Sequence, residues 1–309
     1  MTTKPDADLL RTLPTEQTRA EFSDLDRMPV AELTSLIVGE ARRVGDSVAS
    51  VADAIVPVVE AVTARLRHGG RLIYVGAGTA GRIGMLDAAE AGPTFGVSDG
   101  TITAILAGGS AAFASAAENA EDDAAAGAAA IDCHAVGAAD AVIGISASGR
   151  TPFVLGAIGR ARRLGALTAG LACNEGTPLG QLAELSIEVP VGAEVIAGST
   201  RLNAGTAQKI VLNTISTAVM VGLGKTFGGL MVDMRATNSK LRERAVRIVT
   251  TISGASARQA RAALEASAWH PKVASIVAAH GMTPADASAL LDKCRGNLRE
   301  ALGALAAPP

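Results

Sequence analysis

Residues 71–95 read RLIYVGAGTAGRIGMLDAAEAGPTF, and three kinds of residue follow one another along them. First comes an unbroken apolar run, Leu72-Ile73-Tyr74-Val75, of the sort that a strand buried on both faces needs. Gly76, Gly78 and Gly81 then punctuate a turn, and from Ile83 to Ala89 apolar residues recur at helical spacing. Strand, glycine turn and helix together make an anion cradle. Glycine lets the backbone come close to the anion, and the free N–H groups of the first helical turn point at it. Gly78 and Thr79 are the candidate contacts in this turn. Glu90 stands at the far end of the helix, an acid among alanines and glycines. A cradle and a carboxylate on one short helix suggest a site for a small phosphorylated substrate.

Downstream, the same alternation repeats. Apolar runs at Leu72–Val75, Ile102–Leu106, Ala141–Ile145, Leu167–Leu171 and Leu185–Val189 read as strands. Helical spacing fills the gaps at Ile83–Ala89, Ala111–Ala130, Pro152–Leu164 and Leu179–Ala183. Units of this kind predict an α/β domain whose parallel sheet is covered by helices on both faces. Upstream, residues 1 to 20 form a polar arm, and Pro29 to Glu60 predicts two helices. A further turn or two, Ala61 to Leu66, runs into His68-Gly69-Gly70 as a stop signal. A long apolar helix is expected over 204–221, buried or pairing with a partner chain. The tail is built of short helices punctuated by Pro271, Pro284 and Gly296, with Thr283 as an N-cap. The expected division is an arm and helices at 1–57, the α/β domain at 58–223, a linker helix region at 224–254 and a small helical module at 255–309.

The third predicted strand ends in Ser146-Ala147-Ser148-Gly149-Arg150-Thr151-Pro152. Hydroxyls at Ser146, Ser148 and Thr151, set before a proline that starts a helix, suit a second phosphate loop at the carboxyl end of a strand. Such residues also do nothing more than cap helices in many proteins; a second loop of this kind in one sheet weighs against that plainer account. Gly76, Gly78 and Gly81 satisfy the dinucleotide fingerprint as well. That motif asks for an acid at the end of the next strand, where this chain has Leu106-Ala107-Gly108-Gly109, so a nicotinamide enzyme is the weaker reading. Glu118, Glu121, Asp122 and Asp123 lie on the predicted helix that follows; for Glu118 and Asp123 a solvated face is the simpler account.

The bulk numbers exclude several classes. The 309 residues carry a formal net charge of −2, which gives no basic field to hold nucleic acid. Aromatics are 2% against 49% hydrophobic residues, so the core must be built from Ala, Val, Ile and Leu. Cys133, Cys173 and Cys294 have neither disulfide nor zinc spacing, and His68, His134, His270 and His280 are scattered. No charge-free apolar run reaches about 18 residues and the first residues lack a signal-peptide core, so a cytoplasmic protein without a membrane, metal or cofactor is expected.

Several stretches together resemble the N-acetylmuramic acid 6-phosphate etherases, a family with the sugar isomerase (SIS) fold. They are Thr15-Glu16-Gln17-Thr18-Arg19 with Leu25-Asp26, GAGTAGRIGMLDAAEAGPTFGV at 76–97, AGG at 107–109 and AENAEDD at 117–123. SASGRTPFV at 146–154, GAEVIAGSTRLNAGTAQKIVLN at 192–213 and LMVDMRATNSKL at 230–241 complete the set. The glucokinase regulatory protein, a binding protein of this fold, shares the GST-R-x-x-AGTAQK run.

The resemblance implies a carbon–oxygen lyase. Its substrate would be N-acetylmuramic acid 6-phosphate and its products N-acetylglucosamine 6-phosphate and D-lactate, formed by elimination and hydration in a homodimer. The family acids fall on Glu90, assigned as the acid, and Glu121, assigned as the base. The C2 proton of the open-chain sugar lies next to an aldehyde, so a carboxylate can remove it; the C3 ether oxygen leaves poorly and needs a proton. Glu194, Ser199 and Thr200 are further contacts that the resemblance implies. This chain departs from the family at Ala80, where a serine is usual, at Ala91-Gly92, and at Asn203, where a basic residue is. Alternatives are a sugar-phosphate-binding regulator, which looks like two such units in tandem, and an aldose–ketose isomerase of the same fold.

Overall fold

Every residue of β1 (Leu72–Gly76) is buried in the computed structural model, which describes residues 12–113 and 118–306. That is the pattern of a central strand covered on both faces. Parallel ladders join β1 to β2 (Ile102–Leu106) on one side and to β3 (Ala141–Ser146) on the other. With β4 (Leu167–Ala172) and β5 (Leu185–Glu188) the sheet has the order β2-β1-β3-β4-β5. The predicted five-stranded parallel sheet flanked by helices is therefore present. The chain goes out from β1 to β2 and then returns past β1 to β3. At that reversal the two connections diverge, so a crevice opens beyond the carboxyl ends of β1 and β3. Gly76 pairs with Ile145 in the ladder, which sets the glycine turn beside the serine-rich turn.

The chain divides into two units. The first takes residues up to 88 and 100–216; the second takes 89–99 and 217 onward. In the first, α1 (Val30–Ala49) and α2 (Ala52–Arg67) precede the sheet. The predicted separate turns at Ala61–Leu66 are the end of α2, because Val58 and Val62 continue one buried face without a break. The helix after β1, α3 (Gly78–Phe95), is longer than the predicted Ile83–Ala89 and begins inside the glycine turn. Two glycines make that possible. A Cβ on Gly76 would lie 2.6 Å from the Gly81 nitrogen, and one on Gly81 would lie 2.4 Å from Leu106 Cδ1. Helix and strand touch backbone to backbone.

The predicted helix over 111–130 is not one helix. Short 3-10 turns occupy Ser110–Phe113 and Glu118–Ala120, and α4 starts only at Ala124 (Ala124–Cys133). Asp123 is the reason: its Oδ1 accepts from Ala126 N at 2.8 Å, an N-cap that begins a helix instead of continuing one. Asp123 is therefore exposed, as expected, but as the N-cap ahead of the helix and not on its face. Next come α5 (Pro152–Arg163) and α6 (Pro178–Leu182). α4 and α5 meet at glycines as well: a Cβ on Gly127 would fall 2.0 Å from Phe153 O. The core between sheet and α5 is aliphatic, with Ile73, Val75, Val142, Val154 and Ile158 all fully buried.

α7 (Asn203–Gly222) matches the long apolar helix, but it is not an open patch. Val211, Leu212, Ile215, Val219 and Met220 are all buried within the chain. Of the large apolar side chains of α7 only Val221 is exposed, whereas α1 exposes three, Val30 (80% exposed), Ile37 and Val38, at helical spacing.

The second unit packs α8 (Ser239–Ser253), α9 (Ala257–Ala266), α10 (Pro271–His280), α11 (Pro284–Lys293) and α12 (Leu298–Ala306) around two apolar clusters. Thr283 caps α11 as expected, accepting from Asp286 N at 3.2 Å. The half-buried Asp233 carboxylate holds both Lys272 (2.6 Å) and Lys225 (3.1 Å). Among the described residues, no single helix is long and apolar enough to cross a membrane.

One polar node lies in the first unit's core. The buried Tyr74 hydroxyl donates to Asp87 Oδ2 at 2.8 Å. Asp87 Oδ1 accepts from Asn213 Nδ2 at 2.6 Å and from Ser216 Oγ at 3.0 Å, so β1, α3 and α7 share one carboxyl group. Burial, then the neighbouring Asp87, holds the Tyr74 hydroxyl pKa well above its ordinary value. Tyr74→Phe keeps the ring and removes the donor from a buried carboxyl group. It should cost about 1–3 kcal/mol in urea unfolding; an unchanged midpoint would mean that the node does not hold these elements together.

Candidate active site

A pocket of about 380 Å³ opens at the crevice between the ends of β1 and β3. That is the size and place of a small-molecule site in an open α/β sheet. Of the sequence-predicted residues, Gly78, Thr79, Glu121, Ser146, Ser148, Thr151 and Thr200 all line it.

The serine-rich turn does more than cap a helix. Thr151 holds the N-cap position of α5, yet its side chain makes no capping bond. Its hydroxyl lies 2.8 Å from Ser146 Oγ, which in turn lies 3.4 Å from Ser148 Oγ. Arg150 N donates to Ser148 Oγ at 3.2 Å and folds the turn back on itself. Three hydroxyls thus face one another instead of the helix; each carries one proton, and a bound anion would draw to itself the protons they now share.

The turn is held from behind. Gly149 has φ +67°, and a Cβ there would fall 2.4 Å from Thr177 Cβ, so the residue must be glycine on both counts. Glu188 fixes that neighbour: Oε1 accepts from Thr177 N (2.8 Å) and Thr177 Oγ1 (2.6 Å), and Oε2 accepts from Gly176 N (2.7 Å). Asn174 Nδ2 donates to Ala147 O at 2.9 Å and to Thr15 Oγ1 at 3.1 Å. Buried Thr15 thereby ties the N-terminal arm to the turn, and Glu16 beside it lines the pocket.

Three predicted residues lie elsewhere. Glu194 is fully buried and caps α7: its two oxygens accept from Asn203 N at 2.8 Å and Ala204 N at 2.9 Å. Its carboxyl group fills the helix N-terminus that an anion would otherwise take. Ser199 is half-buried outside the pocket lining. Glu90 is exposed, and in the second unit. Two of the three departures separate: Ala80 lines the pocket, whereas Asn203 serves the Glu194 cap through its backbone.

A family model described as the glucokinase regulatory protein N-terminal SIS domain matches residues 54–162. An N-acetylmuramic acid 6-phosphate etherase of Rubrobacter xylanophilus is 52% identical over 291 residues, covering 94% of this chain and 96% of that one. A second, of Mycolicibacterium smegmatis, is 46% identical over 295 residues, covering 96% and 99%. The chain belongs to the N-acetylmuramic acid 6-phosphate etherase family. A phosphoheptose isomerase from Francisella tularensis shares the fold, with a TM-score of 0.50 at 18% identity over 63% of this chain and all of that one.

Four polar or charged residues of this etherase-family pocket were not among the sequence candidates: Glu16, Asp122, Arg150 and Gln208. All four fall inside stretches that carry the family resemblance. Gln208 is buried, and its Nε2 lacks a hydrogen bond of normal geometry, although its amide favours the neighbouring Cys173 thiolate. Burial and the nearby Glu194 nonetheless push the Cys173 thiol up to about 12, which makes it inert.

Glu194 gives a pH test of the cap. Burial raises its pKa above the ordinary 4.5, against the opposing pull of its two backbone bonds. The folded chain then binds this proton more tightly than the unfolded chain. The contribution to stability is present below the ordinary glutamate value and is lost as pH rises through the raised one. Relative to Glu194→Gln, the wild type should therefore lose stability as pH rises from 4.5. Urea midpoints of both proteins across that range check it; parallel curves would remove the raised pKa.

Proposed function

We propose that this chain cleaves the D-lactyl ether of N-acetylmuramic acid 6-phosphate, giving N-acetylglucosamine 6-phosphate and D-lactate. The observation that carries this reading is 52% identity to an etherase over nearly the whole of both chains. The pocket supports it, because two anion-binding turns and Glu121 meet in one cleft suited to a phosphorylated sugar. The regulatory and isomerase alternatives are not favoured by these full-length relatives. The reading extends, as the family resemblance implies, to a cytoplasmic homodimer that recycles cell-wall amino sugar without metal or cofactor. The apolar stripe Val30, Ile37 and Val38 on α1 suits the pairing of two copies.

The chemistry belongs to the lyase class. With the sugar ring open, Glu121 takes the C2 proton, which the neighbouring aldehyde acidifies. The electron pair left at C2 forms a C2–C3 double bond as the C3–oxygen bond breaks. The departing lactate oxygen takes a proton, the role that the family resemblance gives Glu90, which lies outside the pocket lining of this chain. Water then adds across the double bond, its hydroxyl to C3 and its proton to C2, and the products together contain one water more than the substrate. Ser146, Ser148 and Thr151, with Gly78 and Thr79, hold the phosphate while this happens.

Lactate release from the phosphorylated sugar tests the reaction, and heavy water separates the two acids. Glu90→Gln should still exchange the C2 proton while releasing little lactate, because it lacks only the proton donor. Glu121→Gln should do neither. Each change should lower kcat by about 10²–10⁴. The C2 proton signal in NMR reads the exchange. The opposite pattern would reverse the roles, and near wild-type lactate release by both variants would remove the pair.

A further inference from the structure

Neither the phosphate cradle nor the proton transfers account for Arg150. It belongs to the serine-rich turn, and among the described residues that line the pocket it is the one cation. Its Nε is sealed from solvent and has no hydrogen-bond partner. Among the described residues its guanidinium makes no hydrogen bond or ion pair at all. Other arginines of the same unit are paired: Arg19 with Glu40, Arg71 with Asp140 and Arg160 with Asp132. A guanidinium half-sunk in a pocket wall with no carboxylate in ion-pair contact keeps its hydrogen-bonding capacity for an arriving anion. The remaining charges in the lining are Glu16, Glu121 and Asp122, all negative.

We propose that Arg150 pairs with the carboxylate of the substrate's lactyl group and so decides which sugar phosphates the enzyme accepts. This rests on the etherase reading above. That substrate has two anionic ends, the phosphate on C6 and the lactyl carboxylate on C3. The phosphate finds neutral donors, the turn hydroxyls and the backbone N–H groups of the glycine turn, which need no cation. The carboxylate must enter a cleft that already holds Glu121 and Asp122, and like charges repel it unless a cation intervenes. A guanidinium matches a planar carboxylate with two parallel hydrogen bonds, which an ammonium does not. The product N-acetylglucosamine 6-phosphate lacks this carboxylate. Arg150 thus distinguishes the substrate from its own product and from sugar phosphates without an acidic ether.

The test compares wild type, Arg150→Met and Arg150→Lys with three ligands. These are N-acetylmuramic acid 6-phosphate, the methyl ester of its lactyl carboxylate, and N-acetylglucosamine 6-phosphate as a competing product. Arg150→Met should raise KM for the acid by about 10- to 100-fold, the worth of a hydrogen-bonded charge pair. Arg150→Lys should fall between, since it keeps the charge and loses the fork. The inhibition constant of the product should stay within about twofold in every variant, which also certifies the fold and the phosphate cradle. Wild type should handle the ester as poorly as Arg150→Met handles the acid, and Arg150→Met should treat acid and ester alike. A product inhibition constant that rises with KM would put Arg150 on the phosphate and overturn the proposal. So would a KM that does not move, or an ester penalty that persists in Arg150→Met. A wild type that binds the product yet releases no lactate from the acid would overturn the etherase reading, and this inference with it.

Discussion

The backbone contact between Gly76 and Gly81 is the constraint on which the first unit depends. Where β1 ends and α3 begins, neither residue has room for a Cβ, and Leu106 of the next strand fills the space beside them. Bringing the helix this close lets α3 start in the turn itself, with Gly81 N bonded back to Ala77 O at 3.2 Å. Gly78 and Thr79 are left at the mouth of the pocket as a consequence. The same economy recurs where α4 meets α5 through Gly127 and Gly156. A chain with 2% aromatics fills its core by bringing backbones together, and glycine and alanine are the residues that allow it.

Two buried carboxyl groups then fix α7 against that scaffold. Glu194 holds the helix at its first N–H groups, and Asp87 holds it through Asn213 and Ser216. Neither is at the pocket surface, but both set where α7 presents Gln208 to the pocket. A cap at one point would leave the helix free to rotate about it. A second attachment more than two turns along removes that freedom. This is a positioning role for two acids, one of which, Glu194, the family resemblance had implied as a substrate contact.

The sheet was legible because its signals are local. Runs such as Leu72-Ile73-Tyr74-Val75 between glycines allow few alternatives; the strand order was not legible, because the handedness of a connection does not fix which strands become neighbours. The two turns were legible for the same reason, since each lies at the end of a readable strand. What stayed hidden depends on competition between local partners. Asp123 in an alanine-rich segment reads as helix interior until its bond to Ala126 N shows it to be a cap. Glu194 is an acid within a family motif, and only its bonds to Asn203 and Ala204 reveal that it serves a helix. The apolar face of α7 announced burial but not by what, because periodicity measures how much surface must be covered and not which surface covers it. Arg150 sat in plain view within the serine-rich turn; only the lack of any partner around its Nε sets it apart from an ordinary surface arginine.

On the etherase reading proposed above, the charge pattern of the pocket follows from what elimination would demand of it. A base able to take a proton from carbon must be a carboxylate here, and a carboxylate repels an anionic substrate. Surrounding the phosphate with lysines would overcome the repulsion, but a cationic field would also favour the ionised form of any acid meant to give up a proton. Neutral donors avoid that conflict. Hydroxyls such as those of Ser146, Ser148 and Thr151, which line the pocket, would bind an anion at short range while their field falls off quickly, because they are dipoles and not charges. A single guanidinium at one point of the wall adds attraction where a second anion must sit, without flooding the site. Binding by dipoles with one localised cation lets the pocket hold a multiply charged sugar and keep a working carboxylate in the same cleft.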